Sequence, residues 1–126
     1  MASVARRDLG VRGEDAVAAW YGRARYEVLA RNWRCPEGEL DVVARSEDGA
    51  VIAFCEVKTR ASTRFGTGFE AVTTTKQRRL RRLAARWLAA RRQAGGPGFG
   101  RVRFDVAAVT VSPSGTLEVD VLEDAF

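Results

Sequence analysis

The segment Val51-Ile52-Ala53-Phe54-Cys55-Glu56-Val57-Lys58 constrains this chain most. Its first half has no polar position to turn toward water, so it reads as a strand covered on both faces. Such a strand belongs in the middle of a sheet with a layer packed against each side. Glu47-Asp48-Gly49 precedes it, and Asp-Gly readily adopts the positive backbone angles of a tight hairpin turn, so the strand before it is expected to run antiparallel. The only charges in the segment, Glu56 and Lys58, come at its end, and the two-residue period of a strand sends both to the same side. An uncompensated charge in such a strand costs roughly several kcal/mol, so these residues need a partner or a metal ion.

The rest of the chain supplies the layers. Between Gly13 and Ala24, Val17, Trp20, Tyr21 and Ala24 recur at helical spacing, and Glu14 projects near that apolar stripe. Tyr26 to Trp33 reads as a strand, with a turn at Pro36 to Gly38. From Glu39 to Arg45, strict alternation puts Leu40, Val42 and Ala44 on one face and Glu39, Asp41 and Val43 on the other. Thr59 to Phe69 reads as a loop, and the threonines at 73–75 offer an N-cap for a helix from about Lys76 to Gln93. That helix carries an apolar stripe of Leu80, Leu83, Ala84, Trp87 and Leu88 and ends at Gly95-Gly96-Pro97-Gly98. Val102 to Val111 and Thr116 to Leu122 read as two closing strands. The order, helix, three strands, helix, two strands, predicts an α/β domain with a central mixed five-stranded sheet flanked by helices. It spans residues 1–126 as a single domain, with 1–10 as a candidate disordered segment.

Composition removes several kinds of chemistry. The chain has no histidine, which excludes Ser-His-Asp and Cys-His catalysis, and two cysteines, Cys35 and Cys55, are too few for a disulfide framework. Any metal chemistry then falls to carboxylates, which suit hard ions such as Mg2+ or Mn2+. No signal-like or membrane-spanning run is present, so a cytoplasmic protein is expected. The net charge of +5 points toward a polyanionic partner such as nucleic acid.

Hairpin pairing would bring Asp41 alongside Glu56, so that two carboxylates face one small volume beside Lys58. Such a pair can hold a divalent cation at a scissile phosphate, and a lysine beside it can handle the attacking water or neutralise charge on the phosphate. Read separately, each residue has a plainer explanation. Asp41 could be an exposed strand residue, Glu56 and Lys58 a surface ion pair of little worth, and Glu14 a first-turn acid favoured by the helix dipole.

An acidic residue, a spacer and then (D/E)-x-K resembles the signature of the restriction-endonuclease-like, PD-(D/E)xK superfamily. More closely, Gly13-Glu14, Arg31-Asn32, Gly38-Glu39-Leu40-Asp41, Phe54-Cys55-Glu56-Val57-Lys58-Thr59-Arg60, Lys76 and Arg103-Phe104-Asp105 resemble the bacterial YraN family, also called UPF0102. The likeness runs from about Gly10 to Val111. It implies a fold similar to that of archaeal Holliday junction resolvases, with Glu14, Asp41 and Glu56 as metal-site acids and Lys58 as the catalytic lysine. The proline of the superfamily's name is absent, since Leu40 precedes Asp41. The same likeness makes a two-fold homodimer an expectation, although nothing in the chain marks an interface.

The arginine-rich helix, with Arg78, Arg79 and Arg82 off its apolar stripe, is expected to track phosphates; the plainer alternative is a solvated face. Lys76 shares the inward face at the helix start, where it either binds phosphate near Glu56 or snorkels out of the core. Arg60 either clamps substrate or is an ordinary loop residue. Trp20, Trp33 and Trp87 read as core, and Asp105 as a buried acid paired with Arg103 or a loop amide. The expected activity is metal-dependent hydrolysis of phosphodiester bonds, chiefly in DNA and in branched or flapped structures. The alternative is a non-catalytic nucleic-acid-binding adaptor that keeps the fold.

Overall fold

The computed structural model describes residues 2–61 and 72–126, with side chains from Asp8 onward. Seven elements follow one another: α1 (Ala2–Arg23), β1 (Glu27–Cys35), β2 (Gly38–Arg45), β3 (Val51–Arg60), α2 (Thr74–Gln93), β4 (Arg101–Val111) and β5 (Leu117–Leu122). They build one sheet in the order β1-β2-β3-β4-β5. The apolar strand β3 is therefore central, antiparallel to β2 and parallel to β4, while β1 and β5 pair antiparallel at the edges. This is the α/β architecture expected for a restriction-endonuclease-like fold. No helix among the described residues is long and apolar enough to cross a membrane.

Because successive strand residues face opposite ways, β3 supplies two cores. Ile52 and Phe54 pack with Phe104 and with Leu80, Leu83, Ala84 and Trp87 of α2. On the other face Ala53 and Cys55 join Ala44, Ala107 and Val109 beneath Val17 and Tyr21 of α1. The alanines on this second face leave room for α1 to lie close to the sheet. Trp87 is buried and Trp20 and Trp33 pack at the edges of the cores, so all three tryptophans are packing residues.

Several boundaries differ from those read in the sequence. Helix α1 starts at Ala2, not Gly13, so residues 2–10 are helical, and it ends before the exposed Ala24. Val11 in the added turns is exposed, so it gives the apolar periodicity nothing to register there. Thr59 and Arg60 belong to β3 and not to a loop, Ala61 is a bend, and the rest of that expected loop, 62–69, lies outside the described residues. The alternation expected in β2 also breaks, since Leu40 and Val43 share the α2 core while Val42 and Ala44 lie under α1. Asn32 of β1, between the Arg31–Val42 and Trp33–Leu40 pairs and hence opposite Asp41, has φ of 51°, a left-handed conformation that Asn tolerates better than most residues.

Asp105 is fully buried, and its carboxylate accepts hydrogen bonds from Arg103 Nε and Nη2 at 2.8 Å each, Tyr21 Oη at 2.6 Å and the Asp124 amide at 3.0 Å. Arg103 also donates to Tyr26 Oη at 2.9 Å. A buried ion pair with its bonding capacity used in this way is structural. It ties α1, the start of β1 and the C-terminal residues to β4.

Candidate active site

Three neighbouring residues of α1 set the helix against the sheet. Gly13 is buried, and a Cβ there would overlap the Thr59 side chain at the end of β3, so only glycine allows this approach. Two residues on, Asp15 receives Arg31 Nη2 of β1 at 2.5 Å. Glu14, between these fastenings, lines a cavity of about 290 Å³ with Leu9, Gly10, Val57 and Thr59. Gly13→Ala is expected to destabilise the protein by about 1–3 kcal/mol, the usual cost of overpacking, with part of the loss recovered in a Thr59→Ala background. Denaturant unfolding of the three proteins checks this, and a neutral Gly13→Ala would contradict the packing account.

The β2–β3 ladder ends at Val42–Cys55, one step short of the Asp41–Glu56 pairing that its register implies. Beyond that step the strands part, and Asp41 Oδ2 accepts the Val57 amide at 2.8 Å in place of a backbone carbonyl. Asp41 and Glu56 both line a cavity of about 240 Å³ under α2, with Lys76 and Arg79. Burial pushes the Asp41 carboxyl up to about 7; the Val57 hydrogen bond opposes this, and the charges of Glu56, Glu14 and Glu39 add to it. Glu14 thus acts on Asp41 electrostatically while lining a different cavity. The Glu56 side chain, 14% exposed, meets Lys76 Nζ at 2.5 Å, the lysine extending from the first turn of α2 just past its N-cap Thr73.

Lys58 lies two residues beyond Glu56 on the same face of β3. Burial, and after it the nearby Lys76 charge, holds its ammonium below the ordinary lysine pKa; Glu56 opposes the shift and Arg60 contributes to it. Arg60 is thus near Lys58 at the end of β3, partly buried in the strand.

The cations of α2 divide by their contacts. Lys76 and Arg79 line the cavity, while Arg78 and Arg82 are exposed further out. Arg81 lies 4.8 Å from the Phe104 ring centroid, Arg86 pairs with Glu37 in the β1–β2 turn, and Arg91 covers Trp87. Among the described residues, no group of three or more Asp, Glu or Cys side chains stands gathered as a ready metal cage. Three acids line the cavity: Glu39 pairs outward with Arg34 at 3.1 Å, with both side chains largely exposed, Glu56 pairs with Lys76 at 2.5 Å within the cavity, and Asp41 accepts only the Val57 amide among the described residues. A third cavity, of about 480 Å³, sits at the far end of α2 near Leu88 and Phe99 and is lined by no acid.

Sequence reasoning named the acids and lysines but assigned no task to Gly13, Arg31 or Asn32. The signal for them was a glycine and an asparagine inside regular elements, where each marks close approach or unusual backbone.

A family model described as "Uncharacterised protein family UPF0102" matches residues 13–109, a span that includes all the candidate acids, Lys58, Lys76 and the α2 arginines. A UPF0102 protein of Frankia alni is 48% identical over 126 residues, covering all of both chains. One from Kineococcus radiotolerans is 50% identical over 119 residues, with 86% of this chain and 92% of the relative covered. Another, from Nocardia farcinica, is 46% identical over 121 residues, covering 96% and 91% respectively. The chain belongs to the UPF0102 family.

Proposed function

We propose that this protein is a divalent-cation-dependent endonuclease that hydrolyses phosphodiester bonds in DNA, with branched or flapped structures as its substrates. One observation carries the reading: Asp41 and Glu56 face one cavity where β2 and β3 part, with Lys58 beside them. The residues present fit a hard divalent cation. Asp41 is ionised only at an electrostatic cost, which a cation next to it would offset, and two carboxylates without histidine suit Mg2+ or Mn2+. When bound, such an ion supplies charge neutralisation at the scissile phosphate and a more acidic water. Asp41 and Glu56 would hold it, with Glu14 adding negative potential from the α1 side. Lys58, with its lowered pKa, has a larger unprotonated fraction near neutrality to take a proton from the attacking water. Lys76, Arg79 and Arg60 would bind phosphate oxygens at the cavity, and Arg78 and Arg82 the backbone beyond it.

Incubating the protein with linear, flapped and four-way DNA and with RNA, in Mg2+ or Mn2+, tests the reading. Nicks that depend on the metal are expected, and binding without any cleavage across the panel would reject it. Substituting Arg78, Arg79 and Arg82 together by Ala should weaken binding to all sequences alike. It should also flatten the slope of log affinity against log salt by roughly 2 to 3, near one unit for each phosphate that an arginine no longer neutralises. An unchanged slope would place these arginines off the nucleic acid. If two copies act on a symmetric junction, the binding stoichiometry reads it directly.

The adaptor reading draws on a different observation, the Glu56–Lys76 pair, which neutralises one acid of the site without a metal. It predicts that Glu56→Ala and Lys58→Ala leave cellular function intact while removal of the three arginines abolishes it.

A further inference from the structure

Lys76 occupies a position that its own helix does not favour. It lies in the first turn of α2, where the helix dipole is positive and no acidic residue offsets it. Its ammonium instead reaches Glu56 Oε1 at 2.5 Å, inside the cavity that also holds Asp41 and Arg79. The Lys76 side chain is 33% exposed, so its head has room to leave toward solvent, and a lysine is a point charge on a flexible four-carbon arm. An ammonium held at this distance on one oxygen of Glu56 repels a divalent cation approaching the other, so each weakens the binding of the other.

We propose that Lys76 is a displaceable counter-ion that couples the two ligands of this site: it neutralises Glu56 while no cation is bound, and cation binding at Asp41 and Glu56 releases its ammonium to a substrate phosphate. This rests on the nuclease reading and adds a regulation to it. The consequences follow from linkage. The ion pair opposes the cation, so it weakens cation affinity in the free protein. A phosphate that captures the released ammonium restores that affinity, and the cation strengthens phosphate binding by the same factor. Lys76 is thus a positioning residue whose effect is read in binding.

The test is a calorimetric titration with Ca2+, which measures binding without depending on turnover, run on the full chain with and without a short DNA duplex. Without DNA, Lys76→Met should bind Ca2+ about tenfold more tightly than the wild type, because the competing charge is gone. Saturating DNA should tighten Ca2+ binding to the wild type about tenfold more than to Lys76→Met, in which only the direct attraction between cation and phosphate remains. Lys76→Arg keeps the charge and should follow the wild type, whereas a packing role would make the near-isosteric Met variant the wild-type-like one. If Lys76→Met is not recovered folded, Lys76→Gln carries the same comparison. Equal or weaker Ca2+ affinity in Lys76→Met, or an undiminished gain with DNA, overturns the coupling and leaves the nuclease reading standing. Absence of Ca2+ and Mn2+ binding to every variant and to the wild type overturns both.

Discussion

Lys58→Ala is expected to lower metal-dependent cleavage by about a thousandfold or more, with DNA binding and unfolding midpoint nearly unchanged. A positioned general base contributes roughly 10² to 10⁴ in rate, and a donor to a developing oxyanion about 10² to 10³. Lys58 is placed to do either. It lies two residues past Glu56 and two before the end of the central strand, on the face that carries the cavity, and burial and Lys76 hold its pKa down. A charge that its surroundings disfavour adds little to stability, so its removal should be felt in rate and not in folding. Lys58→Arg separates the two roles. Arginine keeps the charge but cannot give up its proton near neutrality, so a dead Lys58→Arg assigns proton transfer, and a partly active one assigns charge stabilisation. In the first case the wild-type single-turnover rate should rise with pH and level off below the ordinary lysine value. A Lys58→Ala protein that cleaves at the wild-type rate would remove the lysine from the chemistry.

Asp41→Asn should abolish cleavage and at the same time stabilise the metal-free protein at pH 8. The native carboxyl titrates near 7 against 3.8 for an unperturbed aspartate, so the folded protein binds this proton more tightly than the unfolded chain. Between about pH 4 and pH 7 the native state then carries the extra proton, and the contribution of Asp41 to stability falls as pH rises through that window. It levels off above about 7. A shift of this size corresponds to a ceiling of about 4 kcal/mol, and relaxation of the site will reduce it. Asparagine has no charge to desolvate, and its carbonyl oxygen can still accept the Val57 amide. The variant should therefore match the wild type near pH 4, exceed it at pH 8, and gain nothing from added Mn2+, which should stabilise the wild type. Denaturant unfolding at the two pH values, with and without Mn2+, checks all three. A wild type that becomes more stable from pH 4 to pH 8 relative to Asp41→Asn would reverse the sign and exclude this electrostatic account.

Both predictions depend on features of unequal legibility in the sequence. The apolar run of β3 announced a central strand, and the turn at Asp48-Gly49 announced its antiparallel partner. The register that pairs Val42 with Cys55 does put Asp41 level with Glu56. Period-two alternation was enough to put Glu56 and Lys58 on one face, because β3 is regular along its length. It failed in β2, where Leu40 and Val43 share one face while Val42 and Ala44 share the other, opposite a left-handed Asn32 on the neighbouring strand.

Long-range partners were the other gap. Arg78, Arg79 and Arg82 are alike in the sequence, all off the apolar stripe of α2. In the fold, Arg81 goes to aromatic rings and Arg86 to Glu37, residues far away in the chain, and only Arg79 of the helix arginines reaches the cavity. Lys76 was legible as inward-facing from its spacing to Leu80, but its pairing with Glu56 depends on how α2 crosses the sheet. Asp105 was open between two structural partners, Arg103 and a loop amide, and the structure supplies both.

The central claim is that Asp41 and Glu56 together form a divalent-cation site where β2 and β3 part. Crystals soaked in Mn2+ and measured for anomalous scattering test it most directly. The account predicts a peak between the Asp41 and Glu56 carboxylates, lost in Asp41→Asn, with Lys76 drawn off Glu56. A fully occupied Mn2+ elsewhere on the protein, or a Glu56–Lys76 pair that stays closed beside an empty cavity at saturating Mn2+ with DNA bound, would contradict it.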